Sequence, residues 1–317
     1  ELEVDAVSDG KDILIPSIMQ HVERAGVHSG DSIAFCPANL PAELEQEIVS
    51  ITHRLAVALP VQGLLNIQYV VHKQQVYALE VNPRASRTVP FLSKLTGVPL
   101  VALACQVTLG RKLAGLGYGV GLYPKSPIIG VKMPVFSFAK LKGVDVFLSP
   151  EMKSTGECMA ADTDWGAALY KAFLAGGMSF PEEGTILATI ADRDKQESLT
   201  VLSELYRLGF RICATPGTAR FLQDHGIPAD TANKLHQDPP TVIDVLRRGK
   251  IKLVVNTMTA GKQPQRDGFR IRRTAVELGI PCFTSLDTLT AFLEAVRFRR
   301  RGGKPSLLSL ADYHVFD

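Results

Sequence analysis

The chain opens with Glu1-Leu2-Glu3-Val4-Asp5-Ala6, in which acidic and apolar residues alternate. That is the period of a half-buried strand. Asp9-Gly10 marks a turn, and Ile13–Ile15 reads as the returning strand. Between Pro41 and Leu59 the apolar residues Leu44, Ile48, Ile51 and Leu55 fall on one helical face. Leu64–Val71 and Val76–Val81 read as two strands joined by His72-Lys73-Gln74-Gln75, and Asn82-Pro83-Arg84 ends the second. Leu92–Leu95 and Leu100–Leu109 read as helices. Gly110–Gly119 and Pro124–Pro134 predict irregular chain, and Gly176-Gly177 with Pro181-Glu182-Glu183-Gly184 predicts a linker.

From Thr185 the rhythm changes. Strand-like runs (Thr185–Ala191, Phe210–Ala214, Ile251–Asn256, Ile280–Phe283) alternate with helical ones (Lys195–Leu208, Thr218–Gln223, Arg270–Leu278, Ser285–Val296). Gly209 stands where a helix C-terminus needs it. The first half therefore reads as α+β with an antiparallel sheet. The second reads as a doubly wound α/β domain with a parallel sheet. The division expected is 1–177 and 178–317.

Composition narrows the class. Hydrophobic residues make up 46% and charged residues 21% of 317 residues, and the net charge is +3. That is the balance of a globular protein of about two domains, with too little charge to imply nucleic acid or a membrane as partner. The apolar runs are broken before the roughly 20 residues a membrane span needs, and no signal peptide is visible at the first residue. The one basic run, Arg297–Arg301, falls at a helix end, where it suits the helix dipole and a solvated face; a partner-binding patch is the other reading. Five cysteines, Cys36, Cys105, Cys158, Cys213 and Cys282, form no CxxC. This argues against a disulfide framework or a structural zinc site, and for free thiols in the cytoplasm.

Candidate chemistry sits at the second strand of the hairpin. Glu80 and Asn82 are two apart, so they share a face, and both offer oxygen to a hard cation. Arg84 just beyond could neutralise a transferring phosphoryl group. Whether Gln68 joins them depends on register. A four-residue loop pairing Val71 with Val76 puts Gln68 opposite Leu79, on the wrong face. A one-residue bulge puts it opposite Glu80. The sequence leaves both registers open.

Glu80-Val81-Asn82-Pro83-Arg84 resembles the signature of ATP-grasp ligases, and Ala85–Phe91 continues it as in the large subunits of carbamoyl-phosphate synthetases. Gly26-Val27-His28-Ser29-Gly30-Asp31-Ser32, Glu1–Val7 and Ser149-Pro150-Glu151-Met152-Lys153-Ser154-Thr155-Gly156-Glu157 resemble three further segments of that family. The resemblance implies ATP as substrate and Mg2+ or Mn2+ held by Gln68, Glu80 and Asn82. It implies Arg84 at the phosphoryl group or carbamate, His28 and Ser29 near the adenosine, and Glu1 near the ribose. Read without the family, His28 is a turn histidine and Glu1 an exposed strand residue. The implied reaction is phosphorylation of carbamate in arginine or pyrimidine biosynthesis. The implied partners are the remainder of the large subunit and a small glutaminase subunit. The resemblance also implies an earlier portion of the ATP-grasp domain, with glycine-rich phosphate contacts, that this sequence does not contain; no Walker pattern Gly-x-x-x-x-Gly-Lys-Ser/Thr stands in for it, so the chain alone is expected to lack a complete ATP pocket and to be inactive.

In the second half, hydroxyl and amide residues gather at strand ends: Thr189, then Thr215 and Thr218 around a helix start, then Asn256-Thr257. In open α/β sheets ligands bind there, and helix N-termini favour phosphate. Lys195 and Lys234 could add positive charge. Each residue alone is ordinary capping or solvated surface. The region is similar to the methylglyoxal-synthase-like domain, which in the synthetases binds UMP or IMP. That assigns Thr189, Lys195, Thr215, Thr218, Lys234, Asn256 and Thr257 to an allosteric nucleotide. Met258-Thr259-Ala260-Gly261-Lys262 departs from the family, and Met258 would remove a phosphate contact. Members that respond to ornithine carry acids matching Glu23 and Asp31 and a Glu where Gly130 stands here, so no ornithine response is expected. Strand ends of Thr, Asn and Lys lack the aspartate base of a methylglyoxal synthase. The alternative function is a stand-alone nucleotide-binding regulatory or assembly module without catalysis.

Overall fold

A computed structural model describes residues 1–141, 143–258, 265–309 and 311–314. The first part runs β1 (Leu2–Asp9), β2 (Ile13–Ile15), β3 (Ile18–His21), β4 (Ala34–Cys36), α1 (Ala42–Ala58), β5 (Gln62–His72) and β6 (Gln75–Asn82). It continues through α2 (Val89–Thr96), α3 (Leu100–Thr108), β7 (Gly121–Leu122), β8 (Ile129–Val135), β9 (Gly156–Asp162) and α4 (Trp165–Ala175). Its sheet has the order β6-β5-β1-β3-β4-β8-β9, with every neighbouring pair antiparallel. β2 pairs with the far end of β1, and β7 runs parallel to β2.

The second part runs β10 (Gly184–Thr189), α5 (Lys195–Arg207), β11 (Phe210–Ala214), α6 (Pro216–Asp224), β12 (Asp230–Thr231) and α7 (Val242–Arg247). β13 (Ile251–Asn256), α8 (Gln265–Glu277), β14 (Cys282–Phe283) and α9 (Leu286–Arg300) complete it. Its five strands are all parallel in the order β12-β11-β10-β13-β14. The chain winds outward from β10 first to one side and then to the other. The carboxyl ends of β10, β11 and β13 therefore meet at a switch point where a crevice opens.

The mixed antiparallel half and the doubly wound half agree with the sequence reading. Five strands of the first sheet differ from the sequence reading: β3, β4, β7 and β9 did not stand out, and β8 lies in chain expected to be irregular; α4 directly precedes the chain that reads as linker. The connecting chain is residues 176–183. The two sheets also share a core. α4 lies between them, and its Ala168, Leu169 and Phe173 join Val131 and Met133 of β8 to Ile186, Leu253 and Phe292 of the second part in one apolar cluster. Phe173 packs at 5.8 Å from Phe292 and 6.1 Å from Phe283.

The basic run falls in the last turn of α9, on a partly solvated face, and its side chains form ion pairs within the chain. Arg297 pairs with Glu204 and Glu294, Arg299 with Glu182, and Arg301 with Asp164 at the start of α4. These pairs tie α9 to α5, to the connecting chain and to α4. Among the described residues no single helix is long and apolar enough to cross a membrane.

Candidate functional site

The register of the β5–β6 hairpin decides which side chains can act together. Its turn is tight, with Lys73 and Gln74 at φ 50° and 62°. That pairs His72 with Gln75 and Val71 with Val76. The register then slips by one residue at Leu79, so Tyr69 faces Ala78 and Gln68 faces Glu80. This is the bulged alternative of the two that the sequence left open. Asn66 faces Asn82 one step further along.

Pairing with β1 extends each row across a third strand. Glu3 stands beside Gln68, and Asp5 beside Asn66. Two rows result, Glu3–Gln68–Glu80 and Asp5–Asn66–Asn82, on one face of the sheet. The outer strand leaves Glu80 exposed and Asn82 half-buried, whereas Glu3 and Asp5 are buried. Arg84 is exposed and folds back onto the Ala85 carbonyl at 3.1 Å.

Two loops close over these rows. In the first, His28 accepts the Gly30 N–H on Nδ1 at 3.0 Å, shaping a single turn over Ser29–Asp31. Ser29 Oγ accepts from Gln68 Nε2 at 3.0 Å. The second loop, residues 149–155, is held by Asp31, whose carboxylate accepts the Lys153 and Ser154 N–H groups, each at 2.8 Å. The His28 N–H donates to the Ser149 carbonyl at 2.9 Å. Arg87 donates to Ser154 Oγ at 3.0 Å. Segments 26–32, 80–87 and 149–157, separate in sequence, thus form one locality with Gln68, Glu80 and Asn82. Glu1 lies on the same strand face, two residues before Glu3, with its carboxylate 3.8 Å from His21.

Sequence reasoning missed the buried ionic layer beneath. Asn66 Nδ2 donates to both Glu3 Oε1 (2.8 Å) and Asp5 Oδ1 (3.0 Å), and Thr88 donates to Asp5. Burial and the neighbouring Glu3 push the Asp5 carboxyl up to about 6. Burial would raise Glu3 too, but His21 Nε2 at 3.1 Å and the Lys132 charge hold it below the ordinary carboxylate range. Lys132 is 1% exposed, its amine lowered by burial against the attraction of Glu3, Glu157 and Glu23, and it donates to the Ser29 carbonyl at 3.0 Å. The missed signal was the second alternation, Asn66-Ile67-Gln68, which mirrors Glu3-Val4-Asp5.

The donor set fits a hard cation only in part. Among the described residues no three His, Cys, Asp or Glu side chains gather at metal-binding spacing. Gln68 and Asn82 contribute amide oxygens beside the single carboxylate of Glu80, which is the kind of set a Mg2+ ion uses when phosphate oxygens fill the rest of its shell. The Asn82 Nδ2 atom is buried without a hydrogen-bond partner among the described residues.

A second apolar crevice lies between the two sheets, lined by Glu23, Asp31, Met133, Phe173 and Phe283. Gly130 does not face it. A Cβ there would meet Leu95 Cδ2 at 2.3 Å, on the opposite side of β8. Met133 and Pro134 are the β8 residues that line the crevice. Both acids are already engaged. Glu23 accepts from the Ile33 N–H and from Thr288 Oγ1, at 2.8 and 2.7 Å.

At the carboxyl ends of β10, β11 and β13 lies a cavity of about 380 Å3. Thr189, Lys195, Thr215, Thr218, Lys234, Asn256 and Thr257 all line it. Several are fixed by the fold: Thr218 Oγ1 accepts the Ile190 N–H at 3.2 Å, and Thr257 Oγ1 the Ala191 N–H at 2.8 Å. Lys195 pairs with Asp192 at 2.7 Å. Met258 is on the wall, while residues 259–262 lie outside the described residues. The wall also holds His236, Asp267 and Arg272, which sequence reasoning did not select.

Residues 1–116 match the family model described as the carbamoyl-phosphate synthase L chain, ATP binding domain, and residues 197–284 match the MGS-like domain. In this order the two match the C-terminal half of a carbamoyl-phosphate synthase large subunit. Among solved structures, the chain is similar over 55% of its length to the biotin carboxylase domain of a single-chain bacterial carboxylase (18% identity, TM-score 0.43, 46% of that chain). It is similar over the same share to the biotin carboxylase subunit of pyruvate carboxylase (11% identity, TM-score 0.42, 44% of that chain). A third similarity is to the K. lactis urea amidolyase (16% identity, TM-score 0.43, 12% of that chain). The chain thus spans less than half of each.

Proposed function

We propose that the first half supplies the metal- and phosphate-facing part of a site that transfers the γ-phosphoryl group of ATP to carbamate, giving carbamoyl phosphate. The observation that carries this is the bulge at Leu79, which puts Gln68 in one row with Glu80 while Asn82 follows on the same face. A regular hairpin would have turned Gln68 away. Phosphoryl transfer asks the protein for position and charge neutralisation more than for covalent chemistry. In this reading Glu80, Gln68 and Asn82 hold Mg2+ or Mn2+, which screens the phosphate charge. Arg84 swings from the Ala85 carbonyl to the phosphoryl group or carbamate. His28, Ser29 and Glu1 border the nucleoside. The remainder of a large subunit completes the ATP pocket, and a glutaminase subunit delivers the ammonia from which carbamate forms.

The second half, in the same reading, binds UMP or IMP through the seven residues that converge on the 380 Å3 cavity and so regulates the first. That cavity is lined wholly by residues after 188. This favours the alternative of a nucleotide-binding regulatory module that works without local catalysis.

The test is formation of ATP from MgADP and carbamoyl phosphate, by the chain alone and with a polypeptide that supplies the rest of the ATP-grasp domain. Glu80→Gln should lower the rate on the order of 100-fold while nucleotide binding in the second half stays unchanged. An unchanged rate in the variant would leave the regulatory module as the better reading.

A further inference from the structure

The guanidinium of Arg272 lies on the wall of the nucleotide-type cavity, 1% exposed, yet its main partner belongs to the other half of the chain. Its Nη1 donates to Asn256 Oδ1 at 2.5 Å, inside the cavity. Its Nε donates to Asp145 Oδ1 at 2.6 Å, and its Nη2 to Asp145 Oδ2. Next to it on α8, Arg273 donates to the carbonyls of Phe138 (2.9 Å) and Leu141 (3.1 Å). Two successive arginines of one helix therefore hold the segment that precedes β9.

From Asp145 the contacts run on without a break. Lys153 Nζ lies 3.9 Å over the Phe147 ring and donates to the Phe147 carbonyl at 2.6 Å, while Arg272 stacks over the same ring at 5.8 Å. The Lys153 and Ser154 N–H groups bind Asp31, and the turn that ends in Asp31 begins with Ser29, the partner of Gln68. Lys153 Nζ and the Arg272 guanidinium lie over the same Phe147 ring, two residues from Asp145, so a second cation stands near the carboxylate that Arg272 holds. That carboxylate has two possible partners, Arg272 and Lys153.

We infer that Asp145 is a two-position relay: a phosphorylated ligand in the cavity takes Arg272, and Asp145 then turns to Lys153, shifting the loop 149–155 that holds the His28–Asp31 turn. This rests on the nucleotide reading of the cavity. The physical reason is that phosphate and carboxylate compete for the same planar fork of donors. One anion can replace the other on a buried arginine without leaving its charge unpaired. Coupling between distant sites requires an element with two discrete arrangements that both sites bias, and in this proposal Asp145, held by Arg272 with Lys153 near it, is that element. Reciprocity follows: a ligand that pulls the His28–Asp31 turn into place should change the affinity for the anion by the same factor.

The test is hydrogen–deuterium exchange on the whole chain with and without UMP, comparing wild type, Asp145→Asn and Arg272→Lys. In the wild type, UMP should slow exchange at 189–191 and 256–257 and speed it in 143–155 about tenfold. Asp145→Asn should show the faster exchange in 143–155 before UMP is added, respond no further, and bind UMP more tightly than wild type, because the competing carboxylate is gone. If Asp145→Asn does not fold, Arg272→Lys, which keeps the charge and loses the fork, should show the same loss of response. UMP that protects the cavity strands but leaves 143–155 unchanged overturns the relay alone, as does a variant that responds like wild type. If neither UMP nor IMP protects the cavity strands of the folded wild type, the nucleotide reading falls and the relay with it.

Discussion

Asp5 is a buried acid whose nearest ionic neighbour is another acid, and its titration should be visible in the stability of the chain. Its carboxyl is raised from the ordinary 3.8 to about 6 by burial and by Glu3. The folded state then holds a proton between pH 4 and 6 that the unfolded chain has lost. Stability is therefore lost as pH rises through that window, because the folded protein ionises a group it prefers neutral. The span corresponds to at most roughly 3 kcal/mol, shared with the coupled Glu3. Asp5→Asn should remove most of this slope. Denaturant midpoints of wild type should fall between pH 4 and 6 and level off above, and those of the variant should fall much less; parallel curves would mean another group titrates. Lys132 is the counter-case. It faces the buried Glu3 and the half-buried Glu157, and Lys132→Met would remove their shared cation, at a cost of up to about 3 kcal/mol, measurable in the same unfolding experiment. Part of this layer was legible in sequence, since Glu3 and Asp5 alternate correctly with Leu2 and Val4. What was not legible is that both faces of β1 are buried. One face, with Val4 and Ala6, packs in the cluster that holds Ile48 and Ala56 of α1, and the other, with Val7, in the cluster of α2 and α3, contacts between segments distant in sequence.

At the scale of elements, the hairpin shows where sequence reasoning stops. Strand positions and the pairing of Val71 with Val76 follow from periodicity, but the slip at Leu79 does not, because a bulge leaves no compositional mark when the extra residue is a leucine. The turn does leave a mark. Lys73 and Gln74 both adopt the left-handed region, at φ 50° and 62°, which side chains with a Cβ enter at a cost of roughly 1–2 kcal/mol. Gln74→Gly should therefore stabilise the chain by about 0.5–1 kcal/mol after the entropy glycine adds to the unfolded state. Gln74→Val should destabilise it, since branching at Cβ worsens the same strain. Equal midpoints for the two variants would mean that the turn relaxes at no cost. α4 fails to show in sequence for the opposite reason. Sheet one, α9 and the second core surround it, so Gly166, Ala167, Ala168, Leu169, Ala172 and Phe173 are all buried and no polar face marks a 3.6-residue period. The alternating second half was easier to read, because helices such as α5 and α6 bury one face and leave the other in solvent.

For the molecule as a whole, the chemistry and the packing divide the chain differently. Site residues fall into two groups, one before residue 85 and one after residue 188, and the sequence reading placed a boundary between 177 and 178. The apolar cluster ignores that boundary. Phe173 of α4 reaches Phe283 and Phe292 beyond it, and Phe180 of the connecting chain lies 4.8 Å from both Tyr170 and Phe292. The arginine pairs at the end of α9 cross the boundary as well, but Arg297 and Arg301 are 41% and 59% exposed, where a pair contributes no more than about 1 kcal/mol. Apolar contact, not charge, should hold the halves together. Residues 1–177 and 178–317 produced as two polypeptides should then associate and co-elute as a one-to-one complex, and 0.5 M salt should not separate them. Phe292→Ala, which opens a cavity worth about 3–5 kcal/mol in a packed core, should separate them where Arg301→Ala does not. If the fragments instead elute as two folded monomers, the shared core is not cohesive, and the relay through Asp145 would have to work across a loose joint. If they stay together, the rigid contact between cavity and phosphoryl-transfer rows that such a relay needs is already part of the packing.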